Sequence, residues 1–235
     1  MIALLAAVPQ ETELLRERLR NAIEEIRDGL LTVNGELCGQ DVALMHSGVG
    51  KAAAAAATVT LLKDCRPEAL LLFGCGGAYP GSGLAVGDLA VADEEIFADE
   101  GVITPDGFRD LVEMGLPMRE SPQTFFNRWP TSATLREWAS RQISGLHQGP
   151  FVTVSSCTGT SALAQELANR TGGICENMEG AAVALACQQL ATPMLEIRGI
   201  SNLVEDRDMT RWDLPRALQA AQATIIALVQ AWPEP

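Results

Sequence analysis

Three polar residues stand where buried strands of this chain are expected to end. They are Glu11 after Ile2 to Val8, Glu179 after Ile174 to Met178, and Asn202 after Met194 to Ile200. In open α/β sheets ligands bind off the carboxyl ends of the strands, so these positions could converge on one small molecule. A carboxylate can take a proton or hold hydroxyl groups, and an amide offers one donor and one acceptor. Each residue also has a plainer use. Glu11 and Glu179 could favour helix N-termini through the macrodipole, and Asn202 could be a turn residue.

Two glycine-rich stretches invite comparison with phosphate-binding loops, and neither fits. Gly50-Lys51 has Met45 where a P-loop needs glycine, and Ala52 where it needs Ser or Thr. In Gly74-Cys75-Gly76-Gly77-Ala78-Tyr79, tyrosine stands where the dinucleotide fingerprint wants Gly or Ala. A backbone free of side chains can still lie against a flat sugar or base.

The elements that must position these residues alternate. Ile2 to Val8 reads as a buried first strand, because it lacks a basic leader and is closed by Pro9. Leu14, Leu15, Leu19, Ala22, Ile23 and Ile26 predict a helix stopped by Gly29. Short strands follow at Leu30 to Val33 and Val42 to His46, with Asn34-Gly35 as a turn, and then a helix over Ala52 to Leu62. Ala69 to Phe73 is a strand that empties into a glycine-rich loop, Gly74 to Gly83, and a further strand covers Leu84 to Ala92. Asp93 to Pro130 reads as a long irregular segment broken by prolines, in the manner of a functional loop. Beyond it the pattern gives a helix over Thr131 to Ile143, a strand at Phe151 to Val154 and a helix at Ser161 to Asn169. Ile174 to Met178 is a strand, Glu179 to Leu190 a helix and Met194 to Ile200 a strand. Asp213 caps a last helix reaching about Gln230. Strands alternating with helices predict an α/β layered fold, one domain over residues 1–235, with a central mixed sheet flanked by helices.

Composition narrows the partners. Thirty acidic against 17 basic residues give a net charge of −13, a field that repels nucleic acid and anionic membrane surfaces. No run is apolar for the ~20 residues that a membrane helix needs. Six cysteines without a CxxC pair, and only His46 and His147, predict neither a metal site nor a disulfide framework. Reduced thiols of this kind suit a cytoplasmic protein that binds a neutral small molecule. No cofactor is implied.

Four segments carry a family resemblance over nearly the whole chain. Ser47-Gly48-Val49-Gly50-Lys51-Ala52 and Val86-Gly87-Asp88-Leu89-Ala90-Val91 resemble segments of methylthioadenosine/S-adenosylhomocysteine nucleosidases. Asn177-Met178-Glu179-Gly180-Ala181-Ala182 resembles their sugar-binding motif, and Arg198-Gly199-Ile200-Ser201-Asn202 their base-binding motif. The chain is therefore similar to the nucleoside phosphorylase/nucleosidase superfamily. Three further stretches resemble its futalosine hydrolase branch in particular: Gly77 to Gly83, Thr104 to Phe108, and Ile200 to Asp208.

That resemblance implies a phosphate-independent purine nucleosidase of menaquinone biosynthesis, with Glu11, Glu179 and Asn202 as catalytic residues. Glu11 would activate water, Glu179 would hold the ribose hydroxyls and Met178 would pack on the sugar. Cys75, Gly76, Thr158 and Gly159 would complete the substrate site. Asn202 replaces the Asp of adenine-specific nucleosidases, and its amide complements the O6 and protonated N7 of hypoxanthine. No arginine lies in Gly74 to Gly83 and a carboxylate follows the first strand, which favours hydrolysis over phosphorolysis. For the benzoate end of futalosine, Phe125, Phe126 and Met114 would supply apolar walls and Arg109, Arg119 or Arg128 a cation, with Arg207 or a partner chain as the alternative. The resemblance also implies a homo-oligomer, a dimer or larger. Other superfamily activities remain open, namely an adenine-type nucleosidase or a purine nucleoside phosphorylase. So does a nucleoside-binding protein without catalysis.

Overall fold

The computed structural model describes residues 1–233, but not the side chain of Arg27; Glu234 and Pro235, counted in the single-domain expectation, lie outside the described residues. β1 (Ile2–Ala6) enters the core, and a 3-10 turn at Pro9–Thr12 leads to the short α1 (Glu13–Arg16). Three strands follow, β2 (Arg20–Arg27), β3 (Leu30–Leu37) and β4 (Gln40–His46), then α2 (Lys51–Cys65) and β5 (Ala69–Ala78). Next come β6 (Leu89–Phe97), the hairpin β7 (Gly101–Thr104) and β8 (Gly107–Asp110), α3 (Leu111–Met114) and β9 (Arg128–Pro130). The chain continues through α4 (Ala133–Gln142), β10 (Leu146–Thr153), α5 (Ser161–Thr171) and β11 (Cys175–Asn177). It ends with α6 (Gly180–Gln189), β12 (Met194–Leu203) and α7 (Leu214–Gln230).

The expected layered fold is present. One mixed sheet runs in the order β11-β10-β6-β12-β5-β1-β4-β3-β2, with β9 attached to β6. β11 also pairs antiparallel with β5, so β5, β12, β6, β10 and β11 close into a ring. β1 shows why both faces are buried. Ile2, Leu4 and Ala6 pack toward α7, whereas Ala3 and Leu5 pack toward α2 and α6. A strand covered on both faces must be apolar at every position, as this one is. The alanine run of α2 serves the second layer: Ala54, Ala57 and Leu61 are buried against the small side chains Ala181 and Ala184 of α6. Asp213 caps α7 as expected, its side chain accepting from the Arg216 N–H. Among the described residues no helix is long and apolar enough to cross a membrane.

Several boundaries differ from the sequence expectations. The helix expected over Leu14 to Ile26 is helical only at Glu13–Arg16, and Arg20–Arg27 is instead an edge strand paired with β3. Helical spacing there was coincidental, since Ile23 and Ile26 are 62% and 78% exposed. Cross-strand pairing overrides such weak local preference. Asn34-Gly35 lies within β3 rather than in a turn. The hairpins turn at Asp28-Gly29 and Cys38-Gly39, each pair with two positive φ angles, as a tight two-residue turn requires. The first half of the expected loop, Gly74 to Ala78, is strand β5 held between β12 and β11. Leu84 to Asp88 precedes strand β6, which instead extends to Phe97. The remainder of the segment expected to be irregular contains β7, β8, α3 and β9.

Candidate active site

The carboxyl ends of β1, β5 and β12 meet β11 and the start of α6 around a cavity of about 210 Å³. Pro9 starts the turn that brings Glu11 back over β1. There the Glu11 Oε2 accepts from the Ala7 and Val8 N–H groups at 2.8 and 3.2 Å, and Oε1 accepts from the Cys75 N–H at 3.1 Å. Three of about four lone-pair positions are thereby filled, leaving one on Oε1. Gly74 makes the room. A Cβ on it would stand 2.2 Å from Glu11 Oε1 and 2.8 Å from an Arg198 nitrogen. Burial pushes the Glu11 carboxyl above the ordinary carboxylate range, against the opposing pull of Arg198 and the Cys75 and Ala7 amides.

Arg198 is the charge at the centre of the site, and sequence reasoning named it only as part of a motif. It is 2% exposed. Its Nε donates to Glu196 at 2.8 Å, one terminal nitrogen to the Cys75 carbonyl at 3.1 Å, and the other to Glu179 Oε2 at 3.4 Å. Neighbouring carboxylates outweigh its burial and hold it protonated. Glu179 sits at the N-terminus of α6, where its Oε1 also accepts from the Gly50 N–H at 3.0 Å. So the Gly50-Lys51 turn, which is no phosphate loop, supplies an amide to the candidate sugar-binding carboxylate.

Behind Arg198 lies a pair of fully buried acids that the sequence did not signal. Glu95 accepts from Asn177 at 2.7 Å and contacts the Thr153 hydroxyl at 2.5 Å. Complete burial and the neighbouring Glu196 push Glu95 far above its ordinary range, so it carries the proton. Glu196 Oε2 has no other donor, and the Glu95 proton supplies one. The resulting chain runs from neutral Glu95 through anionic Glu196 to Arg198 and Glu179.

Asn202 follows a bulge in the pairing of β12 with β5, between Ile200 and Asn202. Bulges of this kind re-aim side chains beside functional sites. Its Oδ1 accepts from the Ser201 hydroxyl at 2.8 Å, while its Nδ2 donates to the Leu203 carbonyl at 3.0 Å. The Leu203 carbonyl, which can only accept, fixes which end of the amide is which, while the Ser201 hydroxyl also reaches the Gly76 carbonyl at 3.2 Å; each end of the amide keeps one position for a ligand. Opposite stands Met178, its sulfur 3.3 Å from the Cys157 thiol. Cys75 and Gly76 line the cavity as expected, and burial and the Glu11 charge push the Cys75 thiol up to about 11. Thr158 also lines it, yet both its N–H and its hydroxyl are turned to Glu176, at 2.9 and 2.5 Å. Gly159 lies outside the lining, where its carbonyl accepts from the Arg207 N–H at 3.3 Å.

The residues expected to hold a distal carboxylate are not at this cavity. Phe125 stacks on Trp129 at 4.7 Å, with Arg119 over its face. Arg128 is tied to Glu94 and the Thr171 carbonyl. Arg109 lies on the β7–β8 hairpin and Met114 at the exposed end of α3; neither they nor Phe126 line the cavity. The alternative, Arg207, does line it, with its guanidinium 5.0 Å from the ring centre of Trp212, another lining residue. The Asp93 to Pro130 segment misled because its aromatics Phe125 and Trp129 pack into the core beside α6 and not at the cavity. Arg207 follows the base-binding motif by five residues, which was the available signal.

Comparison with known proteins shows the family. The family described as the phosphorylase superfamily matches residues 1–231. A futalosine hydrolase of Thermus thermophilus is 34% identical over 193 residues, 82% of this chain and 83% of that one. The 5′-methylthioadenosine/S-adenosylhomocysteine nucleosidase of Neisseria meningitidis, solved with methylthio-immucillin-A, has a TM-score of 0.84 at 27% identity over 98% of each chain. Futalosine hydrolase of Helicobacter pylori has a TM-score of 0.84 over 98% of this chain and 97% of that chain, and at 20% identity the likeness is one of fold.

Proposed function

This chain belongs to the phosphorylase superfamily, and within it we propose a futalosine hydrolase, which splits the N-ribosidic bond of futalosine to release hypoxanthine and dehypoxanthine futalosine in menaquinone biosynthesis. The likeness to the Thermus thermophilus futalosine hydrolase supports that substrate. The observation that carries the reading is the fixed Asn202 amide facing the same cavity as Glu11 and Glu179.

Cleavage builds oxocarbenium character on the ribose and negative charge on the purine, a problem shared with other glycoside hydrolyses. Glu11, with one lone pair left on Oε1, accepts the proton of the attacking water. Its raised affinity for protons suits a base working near neutral pH. Glu179, held by Gly50 and Arg198, keeps lone pairs for the ribose hydroxyls, and Met178 packs on the sugar. The remaining Nδ2 hydrogen of Asn202 donates to O6, and the remaining Oδ1 lone pair accepts from protonated N7. Adenine would set its amine against the Asn202 N–H, and flipping the amide would turn its Oδ1 against the Leu203 carbonyl.

Water rather than phosphate is the nucleophile in this reading, because the Glu11 and Glu179 carboxylates line the cavity and repel phosphate, and three of the five Arg198 N–H groups are already given to a carboxylate or carbonyl. Arg207, beside Trp212, supplies the cation for the substrate's benzoate. We further infer one cytoplasmic domain over residues 1–235 that works as a homo-oligomer, a dimer or larger. Exposed Val49, Val102, Ile103, Val112 and Leu116 give a second copy apolar surface to cover, which light scattering would test.

The deciding experiment offers futalosine, aminofutalosine (the adenine counterpart), inosine and methylthioadenosine separately in phosphate-free buffer, with chromatography of the released base. Futalosine should be cleaved to free sugar product, at least roughly tenfold more efficiently than aminofutalosine, corresponding to ~1.4 kcal/mol. A sugar 1-phosphate product made only when phosphate is added would exclude the hydrolase, and preference for methylthioadenosine would exclude the substrate.

A further inference from the structure

One buried carboxylate in the cavity has no part in the steps above. Glu176 is the middle residue of β11 and 7% exposed. Its Oε1 accepts from the Thr158 N–H at 2.9 Å, and its Oε2 from the Tyr79 hydroxyl at 2.8 Å and the Thr158 hydroxyl at 2.5 Å. A carboxylate has about four lone-pair positions. Three are filled here, and the fourth, on Oε1, has no protein donor. Tyr79 is itself 2% exposed, and burial with the Glu176 charge beside it holds its phenol protonated, so it remains a donor.

The sheet register says what that position faces. Gly77 of β5 pairs with Glu176 of β11 on one side and with Asn202 of β12 on the other. Residues directly opposite across neighbouring strands project from the same face. Glu176 and Asn202 therefore flank a glycine that has no side chain, on one face, two strand spacings or about 10 Å apart. Both line the cavity. A Cβ on Gly77 would come within 2.8 Å of Val204 and 3.1 Å of the Asn202 amide, so the floor between them must stay bare. A flat, bicyclic base can lie on such a floor with its O6/N7 edge toward one side chain and its adjoining N1 edge toward the other.

On a 6-oxopurine the atom beside the C6 carbonyl is N1–H, a donor. On a 6-aminopurine the same N1 carries a lone pair, which a carboxylate repels. We propose that Glu176 is a specificity-determining residue that accepts the N1–H of a 6-oxopurine whose O6 and N7 are read by Asn202. The inference rests on the reading of this cavity as a purine nucleoside site. Thr158 and Tyr79 then act through Glu176, holding its carboxylate in place rather than touching the base. The two edges are read by unlike groups. An amide reads the edge where donor and acceptor alternate, and an acceptor-only group reads the edge that must donate.

The test measures calorimetric binding of hypoxanthine, adenine and 1-methylhypoxanthine to the wild type and to Glu176→Gln, with futalosine turnover measured in parallel. The glutamine keeps the shape; with its oxygen on the Thr158 N–H it accepts from N1–H without the carboxylate's charge, and with its amide turned over it donates to N1 of adenine at the cost of the Thr158 contact. Wild type should bind hypoxanthine at least about tenfold more tightly than either other base. In Glu176→Gln the hypoxanthine-to-adenine ratio should fall by about tenfold or more, and the penalty for 1-methylation should shrink. An unchanged ratio in the folded variant overturns the proposal. If that variant does not fold, equal affinity of the wild type for hypoxanthine and 1-methylhypoxanthine overturns it. N1-dependent binding without futalosine cleavage would support the base reading while removing the substrate assignment, and futalosine cleavage without N1 dependence would remove the proposal alone.

Discussion

The sheet closes at one end and stays open at the other, and the two ends tolerate change differently. At the end closed into a ring by β5, β12, β6, β10 and β11, a Cβ at Gly74 of β5 would meet Glu11, at Gly180 of the adjoining α6 the Glu95 and Glu196 carboxylates, and at Gly199 of β12 the Ala217 carbonyl, each within 2.5 Å. At the open edge, Gly29 and Gly39 have nothing within 4 Å, and Ile23 and Ile26 face solvent. Gly74 and Gly180 make room for buried charges, and Gly199 for a close backbone approach. Gly29 and Gly39 serve turns, where the backbone angle matters and the space does not. Polar groups in the ring are therefore fixed by several partners each, and substitutions there should be felt in chemistry as well as stability.

The largest effect expected is on turnover. Glu11→Gln retains the shape and the amide contacts yet removes the proton acceptor, and should lower kcat by roughly 10²–10⁴. Because burial raises the Glu11 carboxyl, activity of the wild type should fall on the acid side at a pH above the ordinary carboxylate range. A pH profile of kcat/KM checks this. Near-normal turnover in the folded variant would remove Glu11 as the base.

Next comes a pair of matched substitutions behind the site. Glu196→Gln leaves Arg198 without its best-aligned counterion, and breaking a buried pair in this way costs about 3–5 kcal/mol. Glu95→Gln replaces a group that is already uncharged and should cost on the order of 1 kcal/mol. The pH dependence follows from the same assignment. A carboxyl raised in the folded state contributes stability in full below its unfolded pKa and loses it as pH rises through the folded value. Glu95→Gln should therefore flatten the loss of stability on the alkaline side. Urea unfolding of both variants across pH gives the comparison, and equal costs would show that the proton is not held on Glu95.

What the sequence disclosed follows the same division. Glu11, Glu179 and Asn202 were legible because strand-end positions and local motifs point to them, and the structure brings all three to one cavity. Glu95, Glu176 and Glu196 were not. Each sits in or beside an apolar strand, and its partners Thr153, Tyr79 and Arg198 are distant in sequence, so no local spacing marks them. The ring itself was invisible, since Gly74 to Ala78 reads as loop until β11 and β12 are known to pair with it. At the edge the error ran the other way. Leu14 to Ile26 satisfied a helical period, while the turn pair Asp28-Gly29 that marks a hairpin was read only as a helix stop.

The smallest effect is expected at that edge, and it is the sharpest check on the contrast. Ile26 is 78% exposed on β2, the last strand of the sheet, and Ile23 is 62% exposed beside it. Removing apolar area that is already in water forfeits little transfer energy. Threonine keeps the branched Cβ that suits a strand, so neither packing nor backbone preference changes much. Ile26→Thr should shift stability by no more than about 0.5 kcal/mol, the usual range for a surface position away from caps and networks. Thermal unfolding at several protein concentrations measures it. A larger loss that grows with dilution would mean that a second copy covers β2 in solution, and the open edge would then be an interface rather than a tolerant margin. A larger loss independent of concentration would break the comparison itself, because the edge would be as constrained as the ring.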